Sequence, residues 1–228
     1  MRWSLEDFVY GATDGAVTTF AVVAGVVGAS LSPSIVLILG FANLLADGFS
    51  MAVGNYLAKK AQREYIERVK KKEEWEIDNL VEQERQEIRH IYAKKGFKDE
   101  LLDEIVRVIT SRRKVWVDTM MREELGLIEG SRRPRDTAVT TFAAFNAVGL
   151  IPLLPFVAMF LIGSSMISVV NAFAYSVIFT AAAFFLIGSV KGRVVQKPLL
   201  RSGLNTLLVG GIAAAVAFTV GYLLNLIV

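Results

Sequence analysis

Apolar positions along this chain come in long blocks rather than at the spacing of an amphipathic helix or a half-buried strand. Between Asp14 and Lys59 the only ionisable side chains are Asp47 and Tyr56, and after Thr137 the only fully charged ones are Lys191, Arg193, Lys197 and Arg201. From Lys59 to Asp136 the pattern inverts and charges are dense. An uncharged run of about 20 residues crosses a bilayer core. The blocks predict five such spans, at Tyr10–Ser30, Pro33–Ala58, Ala138–Ile162, Met166–Val190 and Leu204–Leu226. The expected fold is therefore all-α and integral to a membrane. Residues 1–58 hold transmembrane helices one and two, residues 59–135 a helical insert, and residues 136–228 helices three to five.

The insert reads as helices throughout. Val69–Ile77 extends the second membrane helix beyond the bilayer. Asn79 with Glu82 three residues on fits a capping box that opens a new helix, which runs to Lys95 and stops at Gly96. A third helix is expected from Asp99 to about Leu125, ending at Gly126. Arg132, Arg133, Pro134 and Arg135 then lead back to the membrane.

Charge sets the expected orientation. All 25 Lys and Arg residues fall at the N-terminus, in the insert, or in the Lys191–Arg201 loop. The turns near Ser30–Ser32 and Gly163–Ser165 carry no charge, nor does the C-terminal tail. With five spans the three basic regions share one side, and positive charge is retained in the cytoplasm. That places the N-terminus and insert in the cytoplasm and the C-terminus outside; an even number of spans would break the pattern. Glu6, Asp7 and Asp14 argue against a secretory signal peptide. The absence of cysteine excludes disulfides and thiolate metal sites. The insert is close to charge balance, which gives no support to nucleic-acid binding.

The first and third spans open on a repeated element: Asp14-Gly-Ala-Val-Thr-Thr-Phe-Ala21 and Asp136-Thr-Ala-Val-Thr-Thr-Phe-Ala143 match at seven of eight positions. Parallel repeats of this kind occur in transporters with a substrate site between them; chance similarity among apolar residues is the competing reading. Asp14 and Asp47 lie inside spans, where a charge costs about 2.5–3.5 kcal/mol and usually faces a polar path or partner. Met51 is one turn beyond Asp47. A carboxylate with a thioether suits a divalent transition metal better than calcium or magnesium, although a lone Met is more often a packing residue.

In the insert, Glu73 with Glu76 and Glu84 with Glu87 are pairs on one helix face. All four would fall within about 80° if the helix were continuous; a break near Asn79 would leave the pairs to be joined by folding. Met120, Met121 and Glu124 form a further group. Carboxylates clustered in this way suit a cation between them. From spacing alone, a solvated acidic stripe balanced by Lys70–Lys72 and Arg85 has the edge. Glu87-Ile-Arg-His90 matches half of a di-iron motif, but His90 is the only histidine, so a di-iron oxidase is disfavoured and His90 is left out of the site. No phosphate-binding loop is present, so transport would draw on an ion gradient or run downhill.

Three segments, Asp14-Gly-Ala-Val-Thr-Thr-Phe-Ala-Val-Val-Ala-Gly25, Ala42-Asn-Leu-Leu-Ala-Asp-Gly-Phe-Ser-Met-Ala-Val-Gly54 and Met120-Met-Arg-Glu-Glu-Leu-Gly126, resemble the vacuolar iron transporter family. The resemblance covers essentially the whole chain. It implies a dimeric exporter of Fe2+, often also Mn2+, from the cytosol in exchange for protons, with no permanent cofactor and no enzymatic activity. It implies an intramembrane metal position at Asp14 and Met51, with a further acidic position at Asp7; Asp47 is placed on the pathway by its own position inside a span. In the insert it implies ligands at Glu73, Glu76, Glu84, Glu87, Met120, Met121 and Glu124, which reverses the odds given by spacing. Many members carry Glu where this chain has Asn55. Export of Mn2+, Co2+ or Zn2+ instead, or a membrane-anchored metal store or sensor, are the alternatives. The expected membrane is the cell membrane in a prokaryote, or the vacuolar membrane in a eukaryote.

Overall fold

The computed structural model describes residues 4–128, 130, 132–162 and 166–227; the uncharged turn expected at Gly163–Ser165 lies outside them. Helices account for the chain in the order α1 (Leu5–Gly28), α2 (Pro33–Asn79), α3 (Val81–Lys94), α4 (Asp99–Thr110), α5 (Arg113–Glu123), α6 (Pro134–Gly149), α7 (Leu154–Ile162), α8 (Val169–Val194) and α9 (Leu199–Asn225), and no strand occurs among the described residues. Five segments are long and apolar enough to cross a membrane: α1, the first part of α2, α6 with α7, α8 and α9. The chain divides into two compact units, one of residues 1–57 and 132–228 and the other of residues 58–131.

The first unit contains the spans. Its helices meet through small residues, because in lipid close backbone approach replaces the hydrophobic drive available in water. A Cβ on Gly11 would lie 2.5 Å from the Thr141 carbonyl oxygen, and one on Gly15 only 2.3 Å from that of Phe145. Both contacts ascend together, so α1 and α6 run parallel. A Cβ on Gly221 would lie 2.2 Å from the Gly25 carbonyl oxygen, which joins α9 to α1 in the same way. Phe20, Val23, Leu44, Phe145, Leu153 and Phe156 form the apolar core between them.

The Gly15 contact yields a stability prediction. Gly15→Ala forces α1 from α6 against rigid backbone and should cost about 1–3 kcal/mol. A methyl on Gly54 meets nothing within 4 Å, so Gly54→Ala should leave stability level or slightly raised. Thermal unfolding of the two detergent-solubilised variants tests the contrast.

The two copies of the repeated element do not pack in register. Thr18 Oγ1 donates to the Asp14 carbonyl at 2.9 Å, and Thr140 Oγ1 to the Asp136 carbonyl at 2.8 Å. Repeat symmetry would pair Gly15 with Thr137, yet Gly15 meets Phe145. The copies have therefore slid by about 12 Å along the helix axis, which leaves Asp136 in the first turn of α6.

The third span is interrupted. Pro152 and Pro155 lack the amide hydrogens a helix needs, and Ile151–Leu153 form a 3-10 turn between α6 and α7. Ser176 of α8 donates to the Pro152 carbonyl at 2.7 Å and holds the break.

In the second unit, the later part of α2 packs with α3, α4 and α5 around Ile66, Ile77, Ile88, Val106, Trp116 and Met120. Gly96 and Gly126 adopt φ of +98° and +64°, the left-handed turn that glycine permits at a helix end. Two expectations change. Asn79 is not a cap: it ends α2, and its side chain donates to the Trp75 carbonyl at 2.8 Å, while Leu80 precedes α3 without any side-chain cap. The helix expected from Asp99 to Leu125 is two helices, parted at Ser111 and Arg112. There Arg112 is extended, and Ser111 Oγ bonds back to the Val108 carbonyl at 2.7 Å, the kind of local bond by which serine competes with helix continuation.

Candidate functional site

Two polar regions stand out, one in each unit. In the span unit, Asp14-Gly15 on α1 and Asp47-Gly48 on α2 converge on one residue of α6. Gly15 abuts the Phe145 backbone, while a Cβ on Gly48 would lie 3.1 Å from the Phe145 ring and 2.8 Å from Asn146 Nδ2. The two aspartates, each one residue before its glycine, are thereby brought to one level of the span unit. Asp14 is half-buried and Asp47 exposed. Met51 is half-buried against the same apolar core. Asn43 Nδ2 donates to Thr18 Oγ1 at 3.3 Å, so α2 touches α1 one turn beyond Asp14.

Asp7 belongs to a separate node. It is buried in the first turn of α1, with Oδ1 accepting from Asn55 Nδ2 at 3.3 Å and Oδ2 buried without a hydrogen-bond partner. The same amide donates to Thr141 Oγ1 at 2.8 Å, so Asn55 ties α1, α2 and α6 together. Sequence reasoning singled out Asn55 only as a departure from relatives, and missed Asn43, Phe145 and Thr141 entirely. An amide inside an apolar span marks a polar contact of some kind, without saying which helices it joins.

In the insert, the break at Leu80 lets α2 and α3 face each other. Glu73 is one turn before Ile77, and Glu84 one turn before Ile88; the two isoleucines are core residues, so both acids are drawn inside. They are 4% and 3% exposed, which is exceptional for carboxylates. Their carboxyl groups lie within hydrogen-bonding reach of each other, yet Glu73 Oε1 and Glu84 Oε2 have no donor. Two ionised carboxylates cannot donate to one another, so a buried pair of this kind suits a proton or a cation. Burial, then the charges of Glu84 and Glu124, pushes the Glu73 carboxyl up to about 8. Burial and the Glu87 charge push Glu84 upward as well. Glu124, at the exposed end of α5, is also raised, by partial desolvation and then by Glu87 and Glu76.

The structure thus brings five predicted acids, Glu73, Glu76, Glu84, Glu87 and Glu124, within each other's electrostatic reach. Met120 and Met121 are 0% and 5% exposed, packed into the insert core. Met121 also lines a cavity of about 210 Å³ with Lys70, Asp118, Arg122, Leu127 and Ile128. Among the described residues no three acidic or histidine side chains form a ready-made cage for an ion; the insert offers a buried pair with further acids around it. His90 is exposed.

Salt bridges tie the helices of the insert together. Arg113 donates to Asp78 through Nε and Nη2 at 3.0 and 2.8 Å, joining α5 to the end of α2. Lys95 pairs with Glu123, next to Glu124.

The VIT family model matches residues 5–222. A vacuolar iron transporter of Toxoplasma gondii is 39% identical over 226 residues, 96% of this chain and 74% of the relative. Vacuolar iron transporter 1 of Arabidopsis thaliana is 37% identical over 215 residues, 94% of this chain and 83% of the relative. A vacuolar iron transporter of Plasmodium falciparum is 33% identical over 226 residues, with coverage of 97% and 82%.

Proposed function

This chain belongs to the VIT family, and from that premise we propose that it carries a divalent transition metal, Fe2+ foremost, out of the cytosol in exchange for protons. The observation that carries this reading beyond kinship is the convergence of Asp14-Gly15 and Asp47-Gly48 on Phe145. A membrane anchor has no use for two acids at one level inside its spans, because each is costly there. A carrier of divalent cations needs that charge.

In this proposal the insert gathers metal at Glu73 and Glu84, with Glu76, Glu87, Glu124, Met120 and Met121 around them. Asp14 and Met51 take the ion within the spans, and Asp7 and Asp47 lie on the route. A carboxylate must be deprotonated to bind metal, so ion and proton compete for the same oxygens. Protons arriving from an acidic far side would release the metal there and return inward. Carboxylate and thioether donors also accept Mn2+, Co2+ and Zn2+, so these ions belong to the proposed cargo.

The grouping of every Lys and Arg on one side of five spans supports a cytoplasmic N-terminus and insert. The exposed Asp47 on α2 supports a homodimer, since a second copy would shield that carboxylate from lipid. The membrane is proposed as the cell membrane of a prokaryote or the vacuolar membrane of a eukaryote.

Proteoliposomes test the transport reading. Fe2+ kept reduced outside should enter vesicles with an acidic lumen, and collapsing the pH gradient should slow entry at least about fivefold. Flux indifferent to the gradient would reject proton coupling. Metal bound without any flux would replace the carrier by a store or sensor.

A further inference from the structure

We infer that Lys72 is a built-in competitor of the metal at the insert's acid cluster: its ammonium occupies Glu76 and must be displaced when a divalent ion binds. This rests on the proposal that the cluster holds metal. Lys72 Nζ lies 2.8 Å from Glu76 Oε1 and 2.9 Å from Oε2, so one cation spans both carboxylate oxygens. Its charge also reaches Glu73 and Glu124. Other bases of the insert engage acids outside the proposed ligand set: Arg85 pairs with Glu82, Arg89 with Asp103, Arg113 with Asp78 and Lys95 with Glu123. Lys72 pairs with an acid inside it.

The cluster itself carries an independent mark of a cation site, namely buried, unpartnered oxygens on Glu73 and Glu84. A metal drawn to those oxygens meets Glu76 already neutralised. To use the Glu76 oxygens it has to displace the ammonium. The exchange is easy, because the Lys72 side chain is 70% exposed and an exposed pair of this kind is weakly held. Lys72 thus moderates repulsion among the empty acids and weakens the hold on the metal, which favours onward release.

A merely structural clamp and a competitor predict opposite signs. If Lys72 only held the acids together, its removal would loosen the cluster and weaken binding. As a competitor, its removal strengthens binding. The test uses the full chain in detergent carrying Asp14→Asn, so that the intramembrane position contributes little, with Mn2+ as probe and the resonance signal of the free ion as readout. Lys72→Gln should bind Mn2+ roughly twofold to fivefold more tightly than the Asp14→Asn parent, the scale of an exposed charge pair. Lys72→Arg should match that parent, and the gain should shrink as added salt screens the charge. Equal or weaker binding by Lys72→Gln overturns the competitor role while leaving the site standing. Should Glu73→Gln with Glu84→Gln leave Mn2+ binding unchanged, the metal is held elsewhere, and both the site and this inference fall.

Discussion

Fe2+ flux through the reconstituted protein should drop about 100-fold or more when Asp14 is replaced by Asn, and about tenfold when Met51 is replaced by Leu. Asn keeps the size of the side chain and removes only its charge. The local helix does not depend on the carboxylate, because Thr18 bonds to the Asp14 main-chain carbonyl. Gly15 still packs against Phe145. What is lost is the anionic ligand that offsets the cost of a cation inside the spans. A charge at that depth costs about 2.5–3.5 kcal/mol, and each 1.4 kcal/mol is a factor of ten, which sets the hundredfold scale. Met51 offers a neutral donor and Leu nearly conserves its volume, so its replacement costs less. Initial rates normalised to protein, with unfolding temperatures as a check on folding, decide the matter. Asp14→Asn flux within about twofold of wild type would remove Asp14 from the pathway.

Much of the scaffold was legible because its signals are local. Charge-free runs marked the five spans, Pro33 opened α2 where expected, and Gly96 and Gly126 ended helices as glycine does. Other features have no local signature. Leu102, Val106, Ile109, Trp116 and Met120 would share one face of an unbroken helix, so the break at Ser111 and Arg112 leaves the apolar rhythm untouched. The repeat showed that α1 and α6 could run parallel, but the slide between its copies is set by which glycine meets which carbonyl, a matter of tertiary fit.

The candidate sites divide in the same way. Asp14 and Asp47 stood out as charges in apolar runs, and each precedes a glycine. That both glycines abut Phe145 is a fact of packing. In the insert, spacing paired Glu73 with Glu76 and Glu84 with Glu87, one turn apart on their own helices. The structure makes a different pair, Glu73 with Glu84, because the break at Leu80 turns one helix back towards the other and each acid shares a face with a buried isoleucine. Asn55, joined to both Asp7 and Thr141, could not be recognised as a hub from a sequence in which it is one amide among apolar neighbours.

The Glu73–Glu84 pair makes metal capture steeply dependent on pH. With the Glu73 carboxyl raised to about 8, a proton occupies the site at lower pH and must leave before a metal binds. Apparent affinity for Mn2+ should therefore climb about tenfold per pH unit from pH 6 and level off above pH 8, roughly a hundredfold in all. Glu84 is raised too, so the slope should be steeper wherever its proton is also released. The stability of the metal-free protein should move the other way. A carboxyl whose folded value lies above its unfolded one stabilises the fold fully below the unfolded value, and that contribution is lost as pH rises through the folded value. For Glu73 the loss runs from about 4.5 to about 8, so the metal-free chain should unfold at progressively lower temperature across that range, and Mn2+ should restore it most at the alkaline end. Glu73→Gln should flatten both trends, since Gln neither titrates nor repels Glu84, and should weaken Mn2+ binding above pH 8 by about tenfold or more. Titration of the full chain at several pH values, paired with unfolding temperatures, separates the outcomes. Affinity level from pH 6 to pH 9 would mean that no proton stands between these two acids and that the metal enters elsewhere.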